Sequence, residues 1–458
     1  MSSPFFSIVV PTRERAATLG PCLQTCLTQD FDDYEVVVCD NFSSPPTCQV
    51  VQGFTSPRIR YLRTDRPLAM SANWEYAVSE ARGEYVTVLG DDDGLMPYAL
   101  RELARLIRDY HQPAAVRWNR AIYTWPTIAV PEDANYLMVP LSRTVTWADG
   151  RERIRGAIEF RHGVDHLPMI YNAVIRRDVI AEHRRRVGRV FPNIYPDIYT
   201  GFGFGWLAGR FLSVEVPMNV AGLAGRSNGV ATLLVPDGNP IASEFNSLNR
   251  EYGYLPHPRV PNLPLMPIHT VDSFEYAKQF FFPDDDSLSY DRRAMTERYL
   301  ASIPHTDTAS REHCRKVIRD ALADRPDLQE WFDREAPHPP PCPWYRLKPA
   351  ELGYDGQYLR VDTSRLGVSD IADAVTLAAA LLGFGNREVR YDPSEAQPVP
   401  SPAVAVEAEL ARMTAERDRL LGERTELLRA VSHAQRDGAI RNLPRKVARR
   451  VLRLFRAS

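Results

Sequence analysis

No apolar run in this chain approaches the roughly 20 residues that span a bilayer. The longest, within residues 371–384, is broken by Asp373 and Thr376. The start lacks a basic n-region, and Phe5 to Val10 is too short for a signal core, so neither export nor membrane insertion is expected. Cysteine is sparse. Cys22, Cys26, Cys39, Cys48, Cys314 and Cys342 are scattered through 458 residues with no C-x-x-C pair and no Cys/His ligand spacing. That pattern argues against a zinc site and fits reduced thiols in a cytoplasm. No internal repeat is visible. What is present is an ordinary globular composition, 44% hydrophobic and 25% charged, in a chain long enough for roughly two or three domains.

Over residues 5–110 strand and helix patterns alternate. Phe6 to Val10 reads as a buried strand stopped by Pro11, Ala16 to Gln29 as a helix, Tyr34 to Cys39 as a strand ended by Asp40-Asn41. Ile59 to Leu62 is a short strand and Ser71 to Ala81 a helix leading into another strand, Tyr85 to Leu89; Pro97 to Tyr110 is the next helix. Such alternation predicts an α/β fold with a mostly parallel sheet and right-handed crossovers. Further on, Ala114 to Trp118, Asn172 to Ile175 and Phe211 to Val216 read as strands, and Trp147 to Ile158 and Arg177 to Arg186 as helices. Five prolines between residues 256 and 267 predict an extended excursion, followed by helices up to about 333. Pro337 to Pro341 is a stiff linker, a small α/β module is expected over roughly 345–392, and a second linker runs from Pro393 to Pro402.

The chemistry concentrates at Asp91-Asp92-Asp93, directly after the β-branched strand. Three adjacent acids repel unless a cation or hydrogen-bond donors compensate, and hard oxygen ligands suit Mg2+ or Mn2+. Open α/β sheets bind ligands at the carboxyl edge where these acids emerge. Pro11-Thr12-Arg13-Glu14-Arg15 and Asp40-Asn41-Phe42-Ser43 follow the first two strands to the same edge. A second triplet, Asp284-Asp285-Asp286, follows Phe280-Phe281-Phe282-Pro283 and reads as a solvated turn or helix cap.

Taken in order and spacing, Ile8 to Arg15, Val37 to Ser44 and Gly83 to Asp93 resemble the family 2 glycosyltransferases of the GT-A fold, over roughly residues 5–230. The resemblance implies a metal-dependent, inverting transfer from a nucleotide diphosphate sugar to a hydroxyl of a glycan or lipid-linked acceptor, in surface polysaccharide or glycolipid synthesis. It places Thr12 and Arg15 in the nucleotide loop, Asp40 at the base or ribose, and Asn73 in a helix near the donor. Asp92 becomes the leading metal ligand, with Asp91 towards the ribose and Asp93 as support or co-ligand. The family often has a second aspartate before Asp40, and here that residue is Cys39. The general base is expected about 100 residues after the acids, where Asp197 opens a helix-like run; an aspartate at a helix start stays ionised, as a base must. Asp165 is its nearest competitor. His162 and His166 read as structural or surface residues, or acceptor contacts. Arg226, in the glycine-rich stretch Gly222 to Gly229, is a candidate diphosphate contact on a closing loop.

The net charge of −2 conceals an asymmetry: residues 436–458 carry eight Lys/Arg against Asp437, a +7 end that leaves the remainder at −9. Ile440, Leu443, Val447, Val451, Leu454 and Phe455 recur at helical spacing, as in an interfacial helix on an anionic leaflet; little aromatic interleaving and no reader motif argue against nucleic acid. Residues 404–431 form a heptad-like seam interrupted by Arg417 and Arg424, a candidate homo-oligomer contact. The expected division is a GT-A domain over 1–235, an extended and helical accessory region over 236–335, linkers around a small α/β module over 336–402, and a helical tail over 403–458. Cytoplasmic placement, peripheral at the inner membrane face, is expected. Two rivals stand: a degenerate scaffold of the same fold, against which the retained acids argue, and a sugar nucleotidyltransferase, which would need the glycines that the loop Pro11 to Arg15 lacks.

Overall fold

The runs that read as buried strands are buried at every position: β1 (Phe6–Thr12) and β2 (Tyr34–Asp40) have no exposed residue, as expected of parallel strands covered on both faces. The computed structural model describes residues 3–233, 239–304, 308–340, 347–349, 351–383 and 391. The seam at 404–431, the basic end and the second linker lie outside the described residues.

The chain runs β1, α1 (Ala16–Leu27), β2, α2 (Pro45–Gln52), β3 (Ile59–Arg63), α3 (Met70–Ser79), β4 (Tyr85–Val88), β5 (Gly94–Leu95), α4 (Ala99–Asp109), β6 (Ala115–Trp118), β7 (Ala121–Thr124), β8 (Tyr136–Pro140) and β9 (Val145–Asp149). It continues through α5 (Gly150–Ile158), β10 (Ala173–Arg176), α6 (Arg177–Val187), α7 (Pro196–Ala208), β11 (Arg210–Val214), β12 (Asn219–Leu223), α8 (Asn228–Leu233) and α9 (Pro240–Glu251). Helices α10 (Met266–Phe281), α11 (Arg292–Ala301), α12 (Thr308–Asp320) and α13 (Pro326–Glu335) follow, then β13 (Gly353–Tyr354), β14 (Tyr358–Asp362) and α14 (Ile371–Leu382).

An eight-stranded sheet has the order β3-β2-β1-β4-β10-β6-β11-β9. β1 pairs in parallel with both β2 and β4, and β2 with β3. The chain therefore builds outward from β1 on one side and returns to its other side at β4. That reversal is a topological switch point, and the crevice outside the carboxyl ends of β1 and β4 is where such sheets take ligands. β10 is antiparallel to both β4 and β6, so β6 points the same way as β4. A second sheet has the order β13-β14-β8-β7-β12-β5.

Leu19, Leu23, Leu103 and Ile107 from α1 and α4 cover one face of the main sheet. Trp74, Ile180 and Phe204 from α3, α6 and α7 cover the other. A separate apolar cluster joins α5 and α7 to α10 through α13.

Two expectations change. Trp147 to Asp149, expected as the start of a helix, is strand: β9 pairs antiparallel with β11 over Val145–Asp149, and the Asp149 side chain then caps α5 by accepting from the Glu152 N–H at 2.9 Å. Pairing with a neighbouring strand decides this stretch, because Val145, Thr146 and Trp147 suit a pleated surface. The residues expected to form a small module of their own do not separate. β14 pairs with β8, and Ile371, Ala374 and Ala378 of α14 enter the main core, so Met1–Gln397 is one compact unit. The proline-rich excursion is irregular up to Leu265, and Pro267 sits in the first turn of α10. Asp284 to Asp286 lie in a turn, with Asp284 and Asp286 exposed. There Asp285 accepts from the Ser287 N–H and pairs with Arg151 at 2.5 Å.

Candidate active site

The switch point gathers the loop after β1 and the acids after β4. Arg15 Nη1 donates to Asp91 Oδ1 at 3.0 Å and lies 3.6 Å from Asp92 Oδ2. All three side chains are almost buried, so the guanidinium compensates two carboxylates that water reaches poorly. Burial pushes the Asp91 carboxyl up to about 6, against the pull of Arg15 and with the Asp92 charge adding to the rise. Thr12 Oγ1 is buried nearby, and its hydroxyl helps hold the Asp91 carboxyl down.

Asp92 also accepts from Ser227 Oγ, and its carbonyl accepts from Trp125 Nε1 at 3.1 Å. Asp93 turns inward: Oδ1 accepts from the Gly222 N–H at 2.7 Å and Oδ2 from the Gly90 N–H at 3.2 Å. Burial pushes it up to about 7, and the Asp92 charge adds to this; Tyr171, Gly222 and Arg120 pull it back. Gly222 must be glycine, because a Cβ there would collide with the Asp92 carbonyl. Of the triplet, then, Asp91 and Asp92 face the Arg15 corner and Asp93 ties the acids to β12.

Asp40, fully buried, accepts from the Ser43 N–H at 2.8 Å through Oδ1, and from Tyr61 at 2.6 Å and Arg63 at 2.9 Å through Oδ2. It orders the loop after β2. Asn73 is buried in the first turn of α3, where its Oδ1 accepts from Cys39 Sγ at 3.2 Å. A neutral thiol thus stands where the resemblance places a second acid, and burial pushes it up to about 12.

Asp197 lies in the first turn of α7, partly buried. Burial raises its carboxyl above the usual range, while the Ile198 N–H and the Arg120 charge hold it down. Asp165 is more open, 3.9 Å from buried Arg117. Arg226 is exposed in a turn and makes no contact with the acids; its neighbour Ser227 does. Tyr171 and Arg120 escaped the sequence reading, and Gly222 and Ser227 entered it only as members of the glycine-rich stretch around Arg226. The glycine-rich stretch was legible as a loop, but which of its side chains turns inward was not. Arg120, after β6, stands over the Tyr171 ring at 5.6 Å and acts on both Asp93 and Asp197, linking the two ends of the site.

Against this geometry, the family described as Glycosyl transferase family 2 matches residues 7–183. The chain carries a glycosyl transferase family 2 domain. The GT-A topology is what positions its acids. The GalNAc(5)-diNAcBac-PP-undecaprenol beta-1,3-glucosyltransferase of Campylobacter jejuni is 37% identical over 103 residues, 22% of this chain and 33% of that protein. A PGL/p-HBAD biosynthesis glycosyltransferase of Mycobacterium bovis is 33% identical over 128 residues, 27% of this chain and 48% of the relative. The chain thus spans from a third to about half of these relatives. Among solved structures, S. aureus TarS residues 1–349 in complex with UDP-GlcNAc superposes with a TM-score of 0.42 at 15% identity, covering 73% of this chain and 92% of that one.

A divalent cation is the group this fold implies. Among the described residues no group of three or more His, Cys, Asp or Glu is arranged to hold one. Asp91 and Asp92 nevertheless fit the donor set that Mg2+ takes when one or two carboxylates and substrate phosphates share it.

Proposed function

We propose that this protein is a metal-dependent, inverting glycosyltransferase that moves a sugar from a nucleotide diphosphate donor to a hydroxyl of a glycan or lipid-linked acceptor. The observation that carries this is the meeting of Arg15, Asp91 and Asp92 at the switch point, with Asp197 at the start of α7 within the field of the same Arg120. Asp91 and Asp92 would hold the cation, whose charge offsets the diphosphate as it leaves. Arg15 offsets part of the negative charge of these carboxylates and adds a second positive charge beside the diphosphate. Thr12 and the loop ordered by Asp40 line the nucleotide side, and Asn73 sets the helix behind it. Asp197 accepts the acceptor hydroxyl's proton as that oxygen attacks the anomeric carbon from the face opposite the diphosphate; its raised carboxyl lies closer to neutrality, where a general base is effective. Arg226 would reach the diphosphate only by movement of its turn.

The relatives are named for a GalNAc(5)-diNAcBac-PP-undecaprenol acceptor and for PGL/p-HBAD biosynthesis. They support a lipid-linked or cell-surface glycan acceptor, and with the basic end 436–458 a peripheral place at an anionic membrane surface. No described helix is long and apolar enough to cross a membrane. The decisive experiment is a thermal-shift series of nucleoside diphosphates with and without Mn2+. A metal-dependent rise for one base is expected in the wild type, and its loss in Asp92→Asn with the unliganded melting point retained. If no nucleotide stabilises the protein, the transferase reading falls and a scaffold remains.

A further inference from the structure

Two residues at the carboxyl edge hold a left-handed backbone that glycine would take without strain: Glu14 after β1 at φ 54° and Phe42 after β2 at φ 57°. For a bulky side chain this is costly, and such outliers persist only where the surroundings fix them. Glu14 has a structural use there, its carboxylate accepting from the Ser44 N–H and hydroxyl at 2.7 and 2.6 Å. Phe42 has none. It is 42% exposed, and the turn that carries it is held by other groups. The Ser43 N–H donates to Asp40 Oδ1 at 2.8 Å, Arg13 Nη1 to the Asn41 carbonyl at 2.7 Å, and Arg63 Nη2 to the Ser43 carbonyl at 2.7 Å. None of these bonds uses the ring, so the fold does not account for an aromatic side chain at this position.

The ring is nevertheless backed. The Arg63 guanidinium lies over it, 5.4 Å from the centroid, and is itself fixed by Asp40 Oδ2 at 2.9 Å. A cation on one face leaves the other for a second planar group. The place in the sheet suits a nucleobase. In the order β2-β1-β4, β2 stands two strands from the edge where Asp91 and Asp92 meet Arg15, roughly 10 Å at the usual strand spacing. A ribose and its phosphates bridge such a span between a metal-bound diphosphate and its base. Asp40 is fully buried and accepts through both oxygens, so it sets the turn and leaves contact with the base to the ring.

We propose that Phe42, backed by Arg63, is the stacking platform for the nucleobase of the donor. The inference rests on the glycosyl-transfer reading and adds to it the residue that takes the base by its face. Stacking on an aromatic side chain contributes affinity without hydrogen bonds, because every base has a π-face.

The test is calorimetric titration of the full chain with UDP, GDP and ADP, each with Mn2+, and with pyrophosphate and Mn2+ as the arm that has no base. Wild type is expected to bind one nucleoside diphosphate about tenfold more tightly than pyrophosphate, or better. Phe42→Gly, which suits the left-handed turn, should keep the unliganded melting temperature. It should weaken that nucleotide about tenfold and leave pyrophosphate within about twofold. Phe42→Tyr should bind as wild type does, and Phe42→Leu, apolar but without a π-face, should weaken binding as Phe42→Gly does. Nucleotide affinity unchanged in Phe42→Gly, or retained in Phe42→Leu, would overturn the platform, as would an equal loss for pyrophosphate. In each of those cases wild type still binds nucleotide with Mn2+, and this inference falls alone. If wild type binds no nucleoside diphosphate, the transferase reading falls and the platform with it.

Discussion

Asp91, Asp92 and Asp93 are identical in sequence and differ in what surrounds them. Asp91 and Asp92 share Arg15, whereas Asp93 is held by two backbone N–H groups without an ion pair of its own among the described residues. The difference has a pH signature. An ordinary Asp titrates near 3.9 in an unfolded chain, and the native Asp93 and Asp91 carboxyls stand at about 7 and about 6. Between those values the folded state binds more protons than the unfolded state, so stability is full at the acid end and falls as pH rises through the native values. Metal-free protein is therefore expected to lose melting temperature from about pH 5 to pH 8. Asp93→Asn, which cannot ionise, flattens that decline, and Mn2+ raises the melting point more at pH 8 than at pH 5. A wild-type profile that is level over this range would remove the argument. The acids were legible from their place after a strand; their division of labour was not, because it depends on Gly222, far along the chain.

At the level of elements, the strands of the parallel half were readable because each is buried on both faces, and a continuous β-branched run has few other uses. Trp147 to Asp149 misled because its neighbours favour a helix, and only β11 supplies the competing hydrogen bonds. β12 shows how one element serves the site: it carries Gly222 against the Asp92 carbonyl and leads to Ser227. Gly222→Ala must push β12 away from the acids. A loss of about 1–3 kcal/mol is expected, as for other forced overpacking, read as a lower urea midpoint at unchanged slope. Nucleotide response should fall by more than the stability loss accounts for. A variant of wild-type midpoint would show that the close approach is dispensable.

At the scale of the whole molecule, residues 351–383 belong to the body. Gly94 is glycine where Val375 and Ile371 of α14 press against it, and α14 closes the same core as α1. A chain ending at Gln397 is expected to melt as cooperatively as the full protein and keep its nucleotide response, while losing binding to anionic liposomes at low salt. A chain ending at Pro340 uncovers that core and should melt at lower temperature. Unchanged liposome binding in the first would sink the membrane role of the basic end; unchanged melting in the second would sink the sealing role of α14. The sequence by itself determined the α/β alternation, the parallel half-sheet and the residues at its carboxyl edge, because strand period, burial and chain order are local properties. The tertiary structure alone decided which acid faces the crevice, that Ser227 and not Arg226 meets the acids, and that α14 seals the core. Each of these depends on contacts between segments far apart in the chain, where backbone packing and burial set the outcome and no short pattern records it.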